Sequence, residues 1–200
     1  MISAEYCTSL FYSTIEEYHK TDNINQPCPV PDSNSLENIL IKKCWIDIVQ
    51  WHLEDIIRRP DLDPLQFIEI KRKIDSSNQE RTDCVESIDE YLLEEFNSVK
   101  IQDEPRLNTE TPAWVIDRLS ILMLKIFHMK EQTEREDASE EHLLQCSRKL
   151  KILMQQKLDL SFSFNNFLKE LSEGKAVMKT YRQMKMYNDP STNPELYKLK

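Results

Sequence analysis

The chain has 200 residues, a single glycine and a net charge of -9, with 40% apolar and 30% charged residues. Sheet proteins need many glycine-bearing turns, so this composition excludes them and predicts an all-α, single-domain bundle of about six helices. The acidic balance excludes non-specific nucleic-acid binding through the whole surface, because phosphate binding needs clustered positive charge.

The five cysteines are widely spaced and form no C-x-x-C pair. This pattern fits neither a disulfide framework nor a zinc knuckle. No apolar run reaches the ~18 residues of a transmembrane helix, and the N-terminus lacks the charged and apolar regions of a signal peptide. The sequence therefore predicts a soluble cytoplasmic protein with no transmembrane segment, no metal site and no cofactor.

Two helices are predicted in the first third of the chain, separated by a polar loop that contains three prolines. The first runs from Ala4 to His19. Asn34 followed by Glu37 forms a capping box, which begins a second helix that continues to about Arg58.

A long third helix follows after a short connection. Asp63 caps it, Pro64 occupies its first turn, and its periodicity continues to about Asn97. The short connection makes the second and third helices an antiparallel hairpin in which the indices of facing residues add up to about 123. On that register, His52 faces the turn that carries Lys71 and Asp75.

Thr111 and Pro112 begin a fourth helix whose centre is apolar on nearly all sides. Such a helix belongs in the middle of a bundle, and we expect Leu119, Leu122 and Ile126 to lie deepest. A fifth helix carries one apolar stripe, which consists of Leu143, Cys146, Leu150 and Leu153.

A sixth helix is predicted after Leu160, with Gly174 on its apolar stripe. Two interpretations of this glycine stay open. It either lets two helices approach closely, or ends one helix before another begins at Lys175.

Polar residues interrupt the core stripe of the third helix at Ser77 and Arg81, which indicates an internal polar network or a cavity. The hairpin register gathers further polar side chains near this interruption. The predicted polar site consists of His52, Glu54, Asp55, Lys71, Arg72, Asp75, Asn78 and Gln79. A histidine beside carboxylates, cations and amides either holds a phosphate- or sugar-bearing ligand, or forms a structural network of ion pairs.

Three sequence words in the chain resemble the motifs of a known family. They are WHLED at 51–55, KRKIDSSNQERTDCVESID at 71–89 and YRQMKMYNDPSTNPELY at 181–197. The family is the uncharacterised bacterial domain of unknown function 4254. The resemblance implies a helical fold and a bacterial source, and brings no activity with it.

The same residues argue against two kinds of metal enzyme. His52 and Asp55, with Glu86 and Asp89, are similar to the paired acidic motifs of helical nucleotide pyrophosphatases. The predicted register separates the two pairs by about 22 Å, too far for one magnesium ion. A di-iron bundle needs two Glu-x-x-His pairs, and the chain has one.

Near the C-terminus, basic residues recur at helical spacing: Lys175, Lys179, Arg182 and Lys185. Three interpretations of this basic face stay open. It is exposed to solvent, it docks against the acidic third helix, or it contacts phosphate, a membrane or a partner.

The chain is predicted to divide into a helix and loop over 1–33, a bundle core over 34–187 and a tail over 188–200. The favoured function is non-catalytic, through binding of a ligand, another protein or a second copy at the second and third helices. The alternative is a small enzyme, with or without a metal ion, that acts on a phosphate- or sugar-bearing substrate. A self-assembling scaffold is a third possibility, and would expose a wide apolar patch.

Overall fold

A computed structural model describes residues 2–31, 35–186 and 189–198, and it confirms the all-α prediction. Its helices are α1 (Ala4–His19), α2 (Leu36–Ile56), α3 (Pro64–Phe96), α4 (Pro112–Thr133), α5 (Glu140–Ser172) and the single turn α6 (Pro194–Tyr197). The strands β1 (Arg106–Leu107) and β2 (Ala176–Val177) form one short parallel pair. Within the described residues, no helix carries an apolar stretch long enough to cross a membrane.

Polar side chains begin the helices largely where the sequence predicts. Asp63 accepts hydrogen bonds from the first free N–H groups of α3, directly before Pro64. Helix α2 is capped by Ser35, whose hydroxyl accepts from the N–H of Asn38 at 3.3 Å. The predicted cap, Asn34, lies outside the described residues, and the cap shown is one position later.

Helix α4 passes through the middle of the bundle and packs against α1, α2, α3 and α5. This position explains why its sequence is apolar on nearly all sides. Leu119 is completely buried, as predicted, and Leu122 and Ile126 are buried as well, although Ile116 and Leu124 lie deeper than these two. The core is therefore arranged around α4.

The hairpin of α2 and α3 is antiparallel, but its register differs from the prediction. The side chain of Gln50 donates to Asn78 at 3.0 Å and accepts from Ser77 at 3.3 Å, whereas the predicted register placed it opposite Lys73. Helix α2 ends at Ile56, earlier than predicted, so the connection is longer and α3 is displaced by about one turn.

The predicted sixth helix is wrong, because α5 continues without a break to Ser172. Gly174 then adopts a φ of +69° and ends α5, and the residues after it form β2. A Cβ atom at this position would collide with the carbonyl oxygen of Lys100. Gly174 therefore ends a helix, as one of the two interpretations predicted. No helix begins at Lys175, and the backbone that Gly174 approaches closely is the loop at Lys100 rather than a second helix.

Candidate functional site

Three of the four histidines of the chain meet between three helices. His19 is the last residue of α1, and His52 and His128 lie within the last two turns of α2 and α4. One nitrogen of each ring lies within 4.8 Å of one nitrogen of each of the other two. Because helix C-termini carry partial negative charge, this position favours a cation.

Hydrogen bonds orient two of these rings. Nδ1 of His19 lies 2.7 Å from the carbonyl oxygen of Ile15, and Nδ1 of His128 lies 2.8 Å from Oε2 of Glu131. Both partners are acceptors, so each Nδ1 carries the proton and each Nε2 carries the lone pair. Histidines that bind metals are held in this way by their second nitrogen.

The Nε2 atoms of His19, His52 and His128 are all buried and have no hydrogen-bond partner among the described residues. A buried polar atom without a partner costs about 1–3 kcal/mol, so three at one place need an explanation. Nitrogens about 3.3 Å apart would suit one tetrahedral zinc ion with bonds of about 2.0–2.1 Å. The ring nitrogens, which lie within 4.8 Å of one another, would move to that spacing when one ion binds all three.

A carboxylate lies at the edge of the same cluster. Oδ1 of Asp22 is 3.5 Å from Nε2 of His52, close to the spacing of two ligands on one metal ion. Asp22 has a φ of 49°, a left-handed conformation that is costly for a residue other than glycine. Its N–H donates to the carbonyl oxygen of Tyr18 at 3.0 Å, which holds the turn in place.

Aromatic rings enclose the cluster. Tyr18 stacks on His52 with ring centroids 5.4 Å apart, and Trp51 stacks on His128 at 5.0 Å. Burial lowers the pKa of His52, with His19 and His128 acting in the same direction and Asp22 opposing them. His52 is therefore held in the neutral form that binds metal ions.

The predicted polar site is not gathered in one place. His52 faces α1 and α4 rather than the turn with Lys71 and Asp75, which form an exposed ion pair with each other. The displaced register and the direction of the His52 side chain explain this correction.

The other residues of the predicted site also bind locally or face solvent. Glu54 pairs at 2.6 Å with Arg58, which lies just after the end of α2, and Gln79 donates to Asp83 at 2.8 Å within α3. Asn78 reaches α2 through Gln50. Asp55 and Arg72 are exposed.

An internal polar network does lie near the interruption of the α3 stripe, as the sequence predicts. Arg81 extends toward Asp117, with 3.6 Å between Nε and Oδ1. The completely buried Lys43 lies 2.5 Å from Asp47 and 3.0 Å from Asp117, and Ser120 donates to Asp47 at 2.6 Å. Burial raises the pKa of Asp47, and Lys43 opposes that shift. The two cations balance the two carboxylates.

The basic C-terminal segment docks against α3, one of the three outcomes left open by the sequence. Arg182 lies 3.2 Å from Glu90, and Nζ of Lys185 lies 3.0 Å from Oγ1 of Thr82. The segment is not helical, so the predicted helical face does not exist. Lys175 pairs with Glu173 at 2.6 Å, and Lys179 is exposed.

The fold and the histidine cluster together define a helical bundle with a candidate metal centre. The chain belongs to the family described as "Protein of unknown function (DUF4254)", whose profile matches residues 37–180. This match confirms the resemblance seen in the sequence. No curated protein and no solved structure matches the chain. His52 and His128 lie inside the matched segment, and His19 lies before it.

Proposed function

We propose that this protein binds a divalent transition-metal ion, with zinc as the best-fitting ion, through His19, His52 and His128. The observation that carries the proposal is the meeting of three histidine rings, with one nitrogen of each within 4.8 Å of the other two, and with a buried Nε2 on each that has no hydrogen-bond partner among the described residues. Imidazole nitrogen suits zinc, copper, nickel and iron, and a tetrahedral set of histidine and carboxylate ligands favours zinc.

Asp22 is the proposed fourth ligand. Four protein ligands complete tetrahedral coordination, which is the usual arrangement of structural rather than catalytic zinc. The ion would then join α1, which precedes the family segment, to α2 and α4. This role agrees with the non-catalytic function favoured from the sequence. The enzyme alternative would require that Asp22 leave one coordination position to water or substrate.

Metal titration of tag-free, chelator-treated protein tests the proposal. We expect one zinc or cobalt ion per chain, with the intense visible bands of tetrahedral cobalt. His52→Ala and His128→Ala should each weaken binding by about 100-fold or more, because each removes one of four ligands.

His142→Ala is the matched control. His142 lies on α5 beside Cys146, outside the cluster, so its removal should leave the affinity unchanged. Loss of binding in this variant, or retention in both cluster variants, would contradict the proposed site. Asp22→Asn should change the cobalt spectrum if Asp22 is a ligand, and an unchanged spectrum would support the open coordination of the enzyme alternative.

A second candidate is the ligand- or partner-binding function expected at the α2 and α3 hairpin. A hollow of about 250 Å³ there includes Glu54, Asp55 and Arg58, and reaches Asp47 and Arg81 of the buried network. Its mixed charges would suit a polar ligand, a protein partner or a second copy. A partner that loses affinity for Glu54→Gln but not for His128→Ala would support this function.

We also infer a cytoplasmic location and a bacterial source. Cys7, Cys44, Cys84 and Cys146 are buried thiols that form no disulfide among the described residues, which supports a reducing compartment. The bacterial source rests on the family resemblance.

A further inference from the structure

A groove lies between α2, α4 and α5, directly beside the histidine cluster. Its volume is about 580 Å³, which is within the range of small-molecule sites. It shares His128 with the cluster, and Trp51 lies between the two as the ring stacked on His128. Nothing in the proposed metal function uses this groove.

Most of the surface of the groove is apolar, although only four of its nine lining residues have apolar side chains. Trp51 contributes from α2, Met129 from α4, and Ile152 and Leu153 from α5. Ile152 is 59% exposed, and it is one of several large apolar residues that α5 exposes, with Leu144, Met154, Leu158 and Phe162. An apolar chain in the groove would remove this surface from water, which is favourable.

Two cations border the apolar surface from opposite helices. Lys125 belongs to α4 and Lys149 to α5. Both are exposed, and neither forms an ion pair with any of the described residues. The groove contains one carboxylate, Asp55, so it carries a net positive charge in a protein whose net charge is -9. An anionic group fits this local excess of positive charge.

We propose that the groove binds a small amphipathic anion, with an apolar chain along Trp51 and Ile152 and an acidic head between Lys125 and Lys149. Carboxylate and phosphate heads share the required chemistry. Both lysines would supply charge-assisted hydrogen bonds to such a head. The groove exists without a metal ion, so this inference does not rest on the proposed metal binding.

Calorimetric titration with three probes of equal chain length tests the inference. Nonanoate and octyl phosphate carry the two acidic heads on an eight-carbon alkyl chain, and octyl glucoside carries an uncharged one. We expect both anions to bind the protein, with or without zinc, and the glucoside to bind about tenfold more weakly. The ratio between the two anions then identifies the preferred head.

Variants at exposed positions separate the two parts of the site without disturbing the fold. Lys125→Gln combined with Lys149→Gln should weaken binding of both anions by about tenfold, and Ile152→Ser should weaken all three probes. Lys151→Gln is the matched control, because Lys151 is an exposed lysine of α5 outside the groove.

Three results would overturn the inference: no binding of either anion, equal binding of the glucoside, or unchanged affinity in the double lysine variant. Failure of zinc binding alone would leave the anion titration of the zinc-free protein intact. The two proposals therefore fail separately.

Discussion

Two clusters of polar side chains lie between the helices, and they differ in how their groups are paired. In the Lys43 cluster, the cations Lys43 and Arg81 balance Asp47 and Asp117. In the histidine cluster, three imidazole rings meet, and none of their buried Nε2 atoms has a hydrogen-bond partner among the described residues. The charges of the first cluster balance within the chain. The second brings three imidazole rings together without a shared partner among the described residues, and a metal ion would supply one.

This difference predicts how each cluster responds to change. A complete buried network should lose stability when one member is removed. An incomplete cluster should gain stability when the missing partner is supplied.

Removal of Lys43 should have the largest effect. Lys43→Ala leaves Asp47 and Asp117 buried without their main cation, and breaking such a pair costs about 3–5 kcal/mol. Urea denaturation measures the loss. Lys20→Ala is the control, because the Lys20 to Glu17 pair is exposed and its loss should not be measurable. Equal stability of Lys43→Ala and the natural protein would show that the network contributes nothing.

Zinc should raise the stability of the natural protein. At about 1,000 times the dissociation constant, a ligand that binds only the folded state adds about 4 kcal/mol. The gain should be absent in His52→Ala and His128→Ala and present in His142→Ala. Thermal denaturation with and without zinc measures it. A gain that survives in His128→Ala would place the ion elsewhere.

Asp89 is a buried carboxylate outside both clusters. It accepts hydrogen bonds but forms no ion pair with the described residues. It accepts from the hydroxyl of Thr111 at 3.0 Å and from the N–H of Ala113, at the beginning of α4. Burial raises the pKa of Asp89 from 3.8 to about 6, and these hydrogen bonds oppose the shift. Because the folded pKa is higher than the unfolded one, the folded state binds the proton more tightly. The stabilisation from this proton is complete below about pH 4 and is lost as pH rises through about 6.

The Asp89→Asn variant tests this pH dependence. Relative to the variant, the natural protein should lose up to about 3 kcal/mol between pH 4 and pH 7, at about 1.4 kcal/mol per pKa unit. Urea denaturation across this range measures the difference. Asp83→Asn is the matched control on the exposed side of α3, and should follow the natural protein in parallel. A constant difference for Asp89→Asn would refute the raised pKa.

The docked C-terminal segment should give the smallest effect. Arg182 is 76% exposed, so Arg182→Ala should cost less than about 1 kcal/mol of global stability. Lys185→Ala should loosen the segment more, because Lys185 bonds to Thr82, which is buried. Hydrogen exchange over residues 179–186 should rise in both variants. Unchanged exchange in the Lys185 variant would show that these contacts do not hold the segment.

Local signals in the sequence predicted most helix boundaries. Helix α1 begins and ends at the predicted residues, and α3 and α4 begin after Asp63 and Thr111 as expected. Caps and prolines act within one turn, so the sequence alone identifies them. The end of α5 was missed because Gly174 lies on the continuing apolar stripe, and only its φ shows that the helix has ended.

The histidine cluster could not be predicted in the same way. The sequence indicates His52, but the predicted hairpin register is wrong by about one turn and therefore gives His52 the wrong neighbours. His19 and His128 lie about 30 and 80 residues away along the chain, on helices whose packing against α2 no local signal specifies. The available signal was the position of three of the four histidines near helix C-termini.

X-ray absorption at the zinc edge of the zinc-loaded protein tests the central claim most directly. The account predicts three imidazole nitrogens and one oxygen at about 2.0–2.1 Å from the ion. A shell of sulfur at about 2.3 Å would place the ion at cysteines and contradict the histidine site.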